Sequence, residues 1–240
     1  MEKVKYLFNR YKLTRVEADK GSAAGSGKTI ISSTVIRHLR DSYSSDPGTV
    51  LAYFYFSFTS IERQNVAEML ASLIKQLCSR RPDTPTMVQQ LVEYKERGER
   101  PDTKTLEAAL VATANGFSSA HIVIDGLDEC SSLTGDRERL LKSILRILTA
   151  ASPNLHIFCT SRNESDIDAA IRPLLSATRV VMDLEMHRAC FDADLSLYID
   201  SMLASPQYRS WPEEMKNEAR ETMVENADGM WVFLFASSLR

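Results

Sequence analysis

Two short motifs constrain this chain more than anything else in it. One is Gly25-Ser26-Gly27-Lys28-Thr29, near the amino end. The other, far downstream, is Ile122-Val123-Ile124-Asp125-Gly126-Leu127-Asp128-Glu129. The first has the make-up of a phosphate cradle. The backbone N–H groups of a tight glycine loop point together at an anion, and the following helix adds its positive N-terminal end. Gly25 and Gly27 allow positive φ and close backbone approach, and Ser26 lies between them. Lys28 is expected on the β- and γ-phosphates of a nucleotide, and the Thr29 hydroxyl on Mg²⁺. A helix is expected from Thr29 to about Asp41, because Ile30, Ile31, Val35, Ile36 and Leu39 recur at helical spacing.

The second motif reads as a buried strand with acids at its tip. Open α/β sheets bind ligands at the carboxyl ends of their strands. Asp125 is therefore expected near the metal, through water. Asp128 and Glu129 follow so closely that the acids repel one another unless a cation or water network holds them. Either of them is a candidate to orient or deprotonate an attacking water. Alone, the first motif also reads as a glycine-serine linker and the second as an acidic turn, Asp-Gly being a common turn pair. Together they describe a nucleoside-triphosphate site. A third strand, Leu155 to Thr160, leads into Ser161 and Arg162. Arg162 is a candidate γ-phosphate sensor, since guanidinium grips phosphate oxygens in a bidentate way. It reads equally well as a solvent-exposed arginine at a strand end.

Two features depart from the full pattern G-x-x-x-x-G-K-[ST]. Ser22 stands where the first glycine belongs. The segment Leu13 to Lys20 is mostly charged and polar, where a buried central strand should be an apolar run. Residues 1–20 are accordingly expected to be a weakly patterned lead with no first strand. From residue 21 to 184, strands and helices alternate, which indicates a parallel sheet with helices on both faces. Residues 185–240 carry helical patterns only and read as a small helical lid, cut at its C-terminal end. The run Tyr53 to Phe58 resembles a stacking platform for single-stranded nucleic acid. It reads better as a strand covered on both faces, since no basic groove accompanies it.

At these residues the chain resembles a NACHT nucleotide-binding domain in the form found in fungal NOD-like proteins. The likeness runs from about Gly21 to Arg240 and is strongest at Asp125-Gly126-Leu127-Asp128-Glu129-Cys130. That family places a small residue after the magnesium aspartate and an acidic pair just beyond. Thr160-Ser161-Arg162 resembles its sensor segment, and Gly229-Met230-Trp231-Val232-Phe233 its glycine-led helix beyond the core. The resemblance implies a three-layer P-loop NTPase sandwich that binds ATP or GTP with Mg²⁺. It implies a switch with an ADP-bound closed and an ATP-bound open state, slow hydrolysis, and self-association that gathers effector domains in cell-death or innate-immunity-like signalling. Effector and sensor domains of such parents are absent from this sequence.

Composition narrows the partners. Hydrophobic residues make up 44% and charged residues 25%, as in ordinary soluble globular domains. A net charge of −3 gives no electrostatic case for nucleic acid or an anionic membrane. No apolar run is long enough to cross a bilayer. The four cysteines are scattered without a zinc spacing, and reduced thiols beside a nucleotide site fit the cytoplasm. Two other readings stay open beside the switch. One is a catalytically active ATPase of the wider P-loop class; the other is a degenerate scaffold remnant that has lost its first strand.

Overall fold

A computed structural model describes residues 12–18, 27–57, 65–80, 83, 85–150, 153–177, 181–186, 196–197 and 199–227. The sheet has five parallel strands in the order β2-β3-β4-β1-β5. They are β1 (Leu13–Ala18), β2 (Thr49–Tyr55), β3 (Ser119–Asp125), β4 (Leu155–Arg162) and β5 (Val181–Met186). The chain leaves β1, crosses to the far edge at β2, and returns through β3 and β4 to β1's side. This order puts β4 between the strand that precedes the phosphate loop and the strand that carries the acids. The expected P-loop sandwich is what the chain builds.

The crossovers sort the helices. Helix α1 (Lys28–Ser42) packs Val35, Ile36 and Leu39 against Val16, Val123 and Phe158 on one face. The other face takes α2 (Val66–Cys78), α4 (Thr103–Ala114), α5 (Asp136–Ala150) and α6 (Ser165–Ala177), with α3 (Thr86–Glu96) outside α4. Here Leu70, Leu73, Leu110, Ile122, Ile124 and Leu140 are fully buried, each side chain contributing about 1.5–3 kcal/mol relative to exposure. Strand residues alternate between the faces. In β3, Ile122 and Ile124 face the larger core, while Val123 points to α1. Local signals fix the helix starts. Asn65 caps α2 by accepting from Ala67 N–H, and Asp102 caps α4 by accepting from Thr105 N–H.

The aromatic strand packs side chains on both of its faces, as expected of a covered strand. Phe54 and Phe56 pack edge to face toward the larger core, and Tyr53 and Tyr55 do so toward α1. Strand β2 stops at Tyr55, and Phe58 lies outside the described residues. Gln76 of α2 covers part of this sheet edge. Its side-chain amide donates to Tyr53 O at 2.8 Å and accepts from Tyr53 N–H at 3.0 Å. Among the residues of the expected lid, a helix α7 (Glu213–Ala227) is described. The segment Gly229 to Phe233 and the lead at 1–11 lie outside the described residues.

One expectation fails. The polar segment before the phosphate loop is a strand, and it is β1, flanked on both sides by β4 and β5. Its charges are matched inside the fold. Arg15, 0% exposed, pairs with Glu17 two residues along on the same face, and its Nη2 lies 3.3 Å from Asp168 Oδ1 of α6. Asp168 also binds Arg172 at 2.7 Å, which with that hydrogen bond holds the Asp168 carboxyl below its ordinary value. Breaking a buried pair from one side leaves a charge without compensation, whereas an apolar replacement of both is close to neutral. Arg15→Met is therefore expected to cost roughly 3–5 kcal/mol in urea unfolding, most of it recovered in Arg15→Met/Glu17→Leu. Equal losses in the single and double variants would contradict this reading of β1.

A second buried group makes stability depend on pH. His121 of β3 is 1% exposed and stacks between Tyr43 and His156, with ring centroids 5.5 and 5.3 Å away. Burial first, and the neighbouring His156 second, lower its pKa from 6.5 to about 3. Folding thus favours the neutral ring. The contribution is complete above the unfolded value near 6.5 and is lost as pH falls from there toward about 3. His121→Phe, which keeps the stack, is expected to flatten the acid side of the stability–pH profile measured by urea midpoint. A variant with the parent's slope over that range would show that His121 is not its source.

Candidate functional site

The two motifs meet at the carboxyl end of the sheet. Gly27 takes a left-handed backbone conformation (φ 83°, ψ 5°) and opens α1, its carbonyl accepting from Ile31 N–H at 3.0 Å. That conformation costs glycine little and other residues more. Gly25, Ser26 and Ser22 lie outside the described residues. Asp125 ends β3, and three hydroxyls converge on its carboxylate. Thr29 Oγ1 donates to Oδ2 at 2.7 Å, Ser32 Oγ donates to Oδ1 at 2.5 Å, and Thr160 Oγ1 donates to Oδ1 at 2.7 Å. Thr29 and Ser32 reach it together because residues three apart share a helix face. Thr160 also accepts from Gly126 N–H at 3.0 Å, fixing the first residue after the strand.

The acidic pair divides. Gly126 turns the chain in the left-handed region (φ 72°), and Leu127–Glu129 form a single 3-10 turn. Asp128 is 2% exposed. Its Oδ1 accepts from the backbone N–H of Arg162 at 2.9 Å, and Arg162 Nε lies 3.3 Å from its Oδ2. Glu129 is only half-buried and packs over Gly126, where a Cβ would come within 3.4 Å of its side chain. Both acids lie close after Asp125, on the turn that follows β3. Asp128 is committed to Arg162, and Glu129 is the more open of the two.

Lys28 sits at the centre, 9% exposed. Its pKa is lowered, first by burial and also by Arg162, while Asp128, Asp125 and Glu129 oppose the shift. Five charged side chains from α1, β3, the acidic turn and β4 therefore act on one small volume. Among the described residues, no cluster of three His, Cys, Asp or Glu side chains could hold a metal by itself. The donor set here is one hydroxyl and one carboxylate, Thr29 and Asp125. Mg²⁺ keeps several waters and takes phosphate oxygens beside one or two protein ligands. The residues fit an ion that arrives with a phosphate, rather than one caged by protein.

Two participants were missed in the sequence. Ser32 lies one helical turn beyond Thr29 and carries no motif label; its spacing was the available signal. Thr160 stood in the strand-end segment, but nothing in the sequence says which way a strand-end hydroxyl points. Burial raises the pKa of Cys130 to about 11, so its thiol is unreactive at neutral pH.

The family model described as "Nephrocystin 3, N-terminal" matches residues 21–162, from the phosphate loop to the arginine that ends β4. The ORC2 protein of Aeropyrum pernix in its ADP form superposes with a TM-score of 0.57 at 13% identity, covering 95% of this chain and 58% of that one. The same protein in its ADPNP–ADP complexes superposes with a TM-score of 0.51 at 13% identity, covering 84% and 50%. At that identity the likeness is one of fold. This chain spans about half the length of those proteins. No curated protein matches the sequence, and nothing in these matches supports a fungal source. The family model covers more than half of the chain, and the chain belongs to the nephrocystin-3 N-terminal family, with a P-loop domain of NACHT type.

Proposed function

We propose that the chain is a nucleotide-binding switch: it takes ATP or GTP with Mg²⁺, hydrolyses it slowly, and couples the nucleotide state to self-association in signalling. The observation that carries the reading is the 2.7 Å hydrogen bond from Thr29 to Asp125. It joins the end of the phosphate loop to the acidic strand tip across 96 positions of sequence. A helix start that only happened to read Gly-Lys-Thr would have no reason to meet that carboxylate.

Each residue then has a task. The Lys28 ammonium meets the β- and γ-phosphates, which would offset the burial that now lowers its pKa. Thr29 and Asp125 would hold Mg²⁺, and the ion would neutralise charge on the phosphate oxygens. Glu129, the more open acid, orients the attacking water and accepts its proton. Arg162 faces the γ-phosphate. The A. pernix ORC2 protein of similar fold is known in its ADP form and in ADPNP–ADP complexes, which supports nucleotide binding by this chain. The remnant reading loses its ground, because the first strand is present. Coupling to self-association, and thence to signalling, rests on the NACHT resemblance.

Isothermal titration of the purified chain with ATP and ADP in Mg²⁺ tests the reading. The parent is expected to release heat and gain thermal stability with both, since a ligand that binds only the native state stabilises it by mass action. Lys28→Ala is expected to lose both responses. Equal binding by Lys28→Ala and the parent would refute the phosphate-loop assignment.

A further inference from the structure

The acidic turn has little holding it from within. Two backbone hydrogen bonds close it, Glu129 N–H to Gly126 O at 2.9 Å and Cys130 N–H to Leu127 O at 3.3 Å. Beside the bonds from Thr160 and Arg162, a side chain outside the motifs holds two of its carbonyls. Arg137, the second residue of α5, is 7% exposed. Its Nη2 donates to Asp128 O at 2.6 Å, and its Nε donates to Cys130 O at 2.9 Å. Its Nη1 lies 3.3 and 3.4 Å from the two carboxylate oxygens of Asp166, with Glu164 Oε2 at 3.9 Å.

These contacts bridge two segments. The carbonyls of Asp128 and Cys130 flank Glu129 on the acidic turn. Glu164 lies on the connection from β4 to α6, just after Arg162, and Asp166 in the first turn of α6. Asp128 is gripped twice, by Arg137 at its carbonyl and by Arg162 at its carboxylate. A planar guanidinium can serve two carbonyls and a carboxylate at once in fixed geometry. A lysine ammonium in that place is a single point with three rotatable donors.

We infer that Arg137 is a positioning residue, which holds Glu129 and Arg162 at a fixed separation across the site. The inference rests on the nucleotide reading above. Its consequence is specific: among the described residues Arg137 bonds to the acidic turn, Glu164 and Asp166 and to neither Gly27 nor Lys28, so the grip of Lys28 on the phosphates does not depend on it. The response to the γ-phosphate does, because Arg162 and Glu129 are the groups that meet it.

Two readouts on Arg137→Lys, Arg137→Met and Asp166→Asn test this. The first needs no nucleotide. Amide exchange at Arg162, whose N–H binds Asp128, is expected to quicken about tenfold or more in both Arg137 variants, as for loss of a hydrogen bond to a charged group. The β3 amides should keep the parent's protection. Unchanged protection at Arg162 would overturn the inference.

The second readout is the ratio of ATP to ADP affinity by titration calorimetry. It is expected to fall about tenfold while ADP affinity stays within about twofold, a split that general destabilisation does not produce. Arg137→Lys should not rescue it, and Asp166→Asn should move it less in the same direction. A parallel loss of both affinities, or rescue by lysine, would overturn the inference. Should Arg137→Met fail to fold, Arg137→Lys and Asp166→Asn carry both readouts. A parent chain that binds neither nucleotide would sink the site reading and the γ-phosphate consequence with it. The exchange result would still decide whether Arg137 holds the acidic turn against β4.

Discussion

The site depends on one carboxylate. Asp125 collects hydroxyls from two turns of α1 and from the tip of β4, elements far apart in the sequence. Each of those hydrogen bonds is charge-assisted and partly or fully buried, so each is stronger than its neutral counterpart. Together they fix the helix start relative to two strands. Everything at this edge then follows: Thr160 sets Gly126, Gly126 sets the acidic turn, and the turn carries Asp128 and Glu129 into reach of Lys28 and Arg162. The convergence is possible because β4 lies between β3 and β1, beneath the start of α1.

Much of this was legible in the residues. Strands β3 and β4 announce themselves through β-branched and apolar runs, and the core helices through their period, because burial on one face leaves a regular mark. The meeting of the Lys28 and Asp125 motifs was legible too, since each is chemically odd alone and sensible beside the other. Strand β1 was not legible. Apolarity is the usual sign of a central strand, but burial requires only that polar groups be matched. Arg15 and Glu17 match each other two residues apart on one face, and Asp168 completes the set from a helix far along the sequence. No pattern within residues 13–18 contains that last partner.

The acidic pair shows the same limit at the site. In sequence, Asp128 and Glu129 are two equivalent carboxylates. Their difference comes from a 3-10 turn that buries one against the backbone of β4 and leaves the other half open. Arg137 was hidden for a related reason. In the run Asp136-Arg137-Glu138-Arg139, charges at the start of a helix read as a solvated face. For Glu138 that is correct, since it pairs with Lys142 in solvent. Arg137 alone of the four turns inward.

The central claim is that Thr29 and Asp125 meet around a metal carried by a bound polyphosphate. The most direct measurement is ATP affinity with Mg²⁺ present and with Mg²⁺ chelated, in the parent and in Asp125→Ala. The parent should bind more tightly with the ion. Asp125→Ala should bind equally with and without it, Lys28 and the loop still holding the phosphates. If Asp125→Ala keeps the parent's full dependence on Mg²⁺, the ion does not sit where these two residues meet, and the account of the site is wrong.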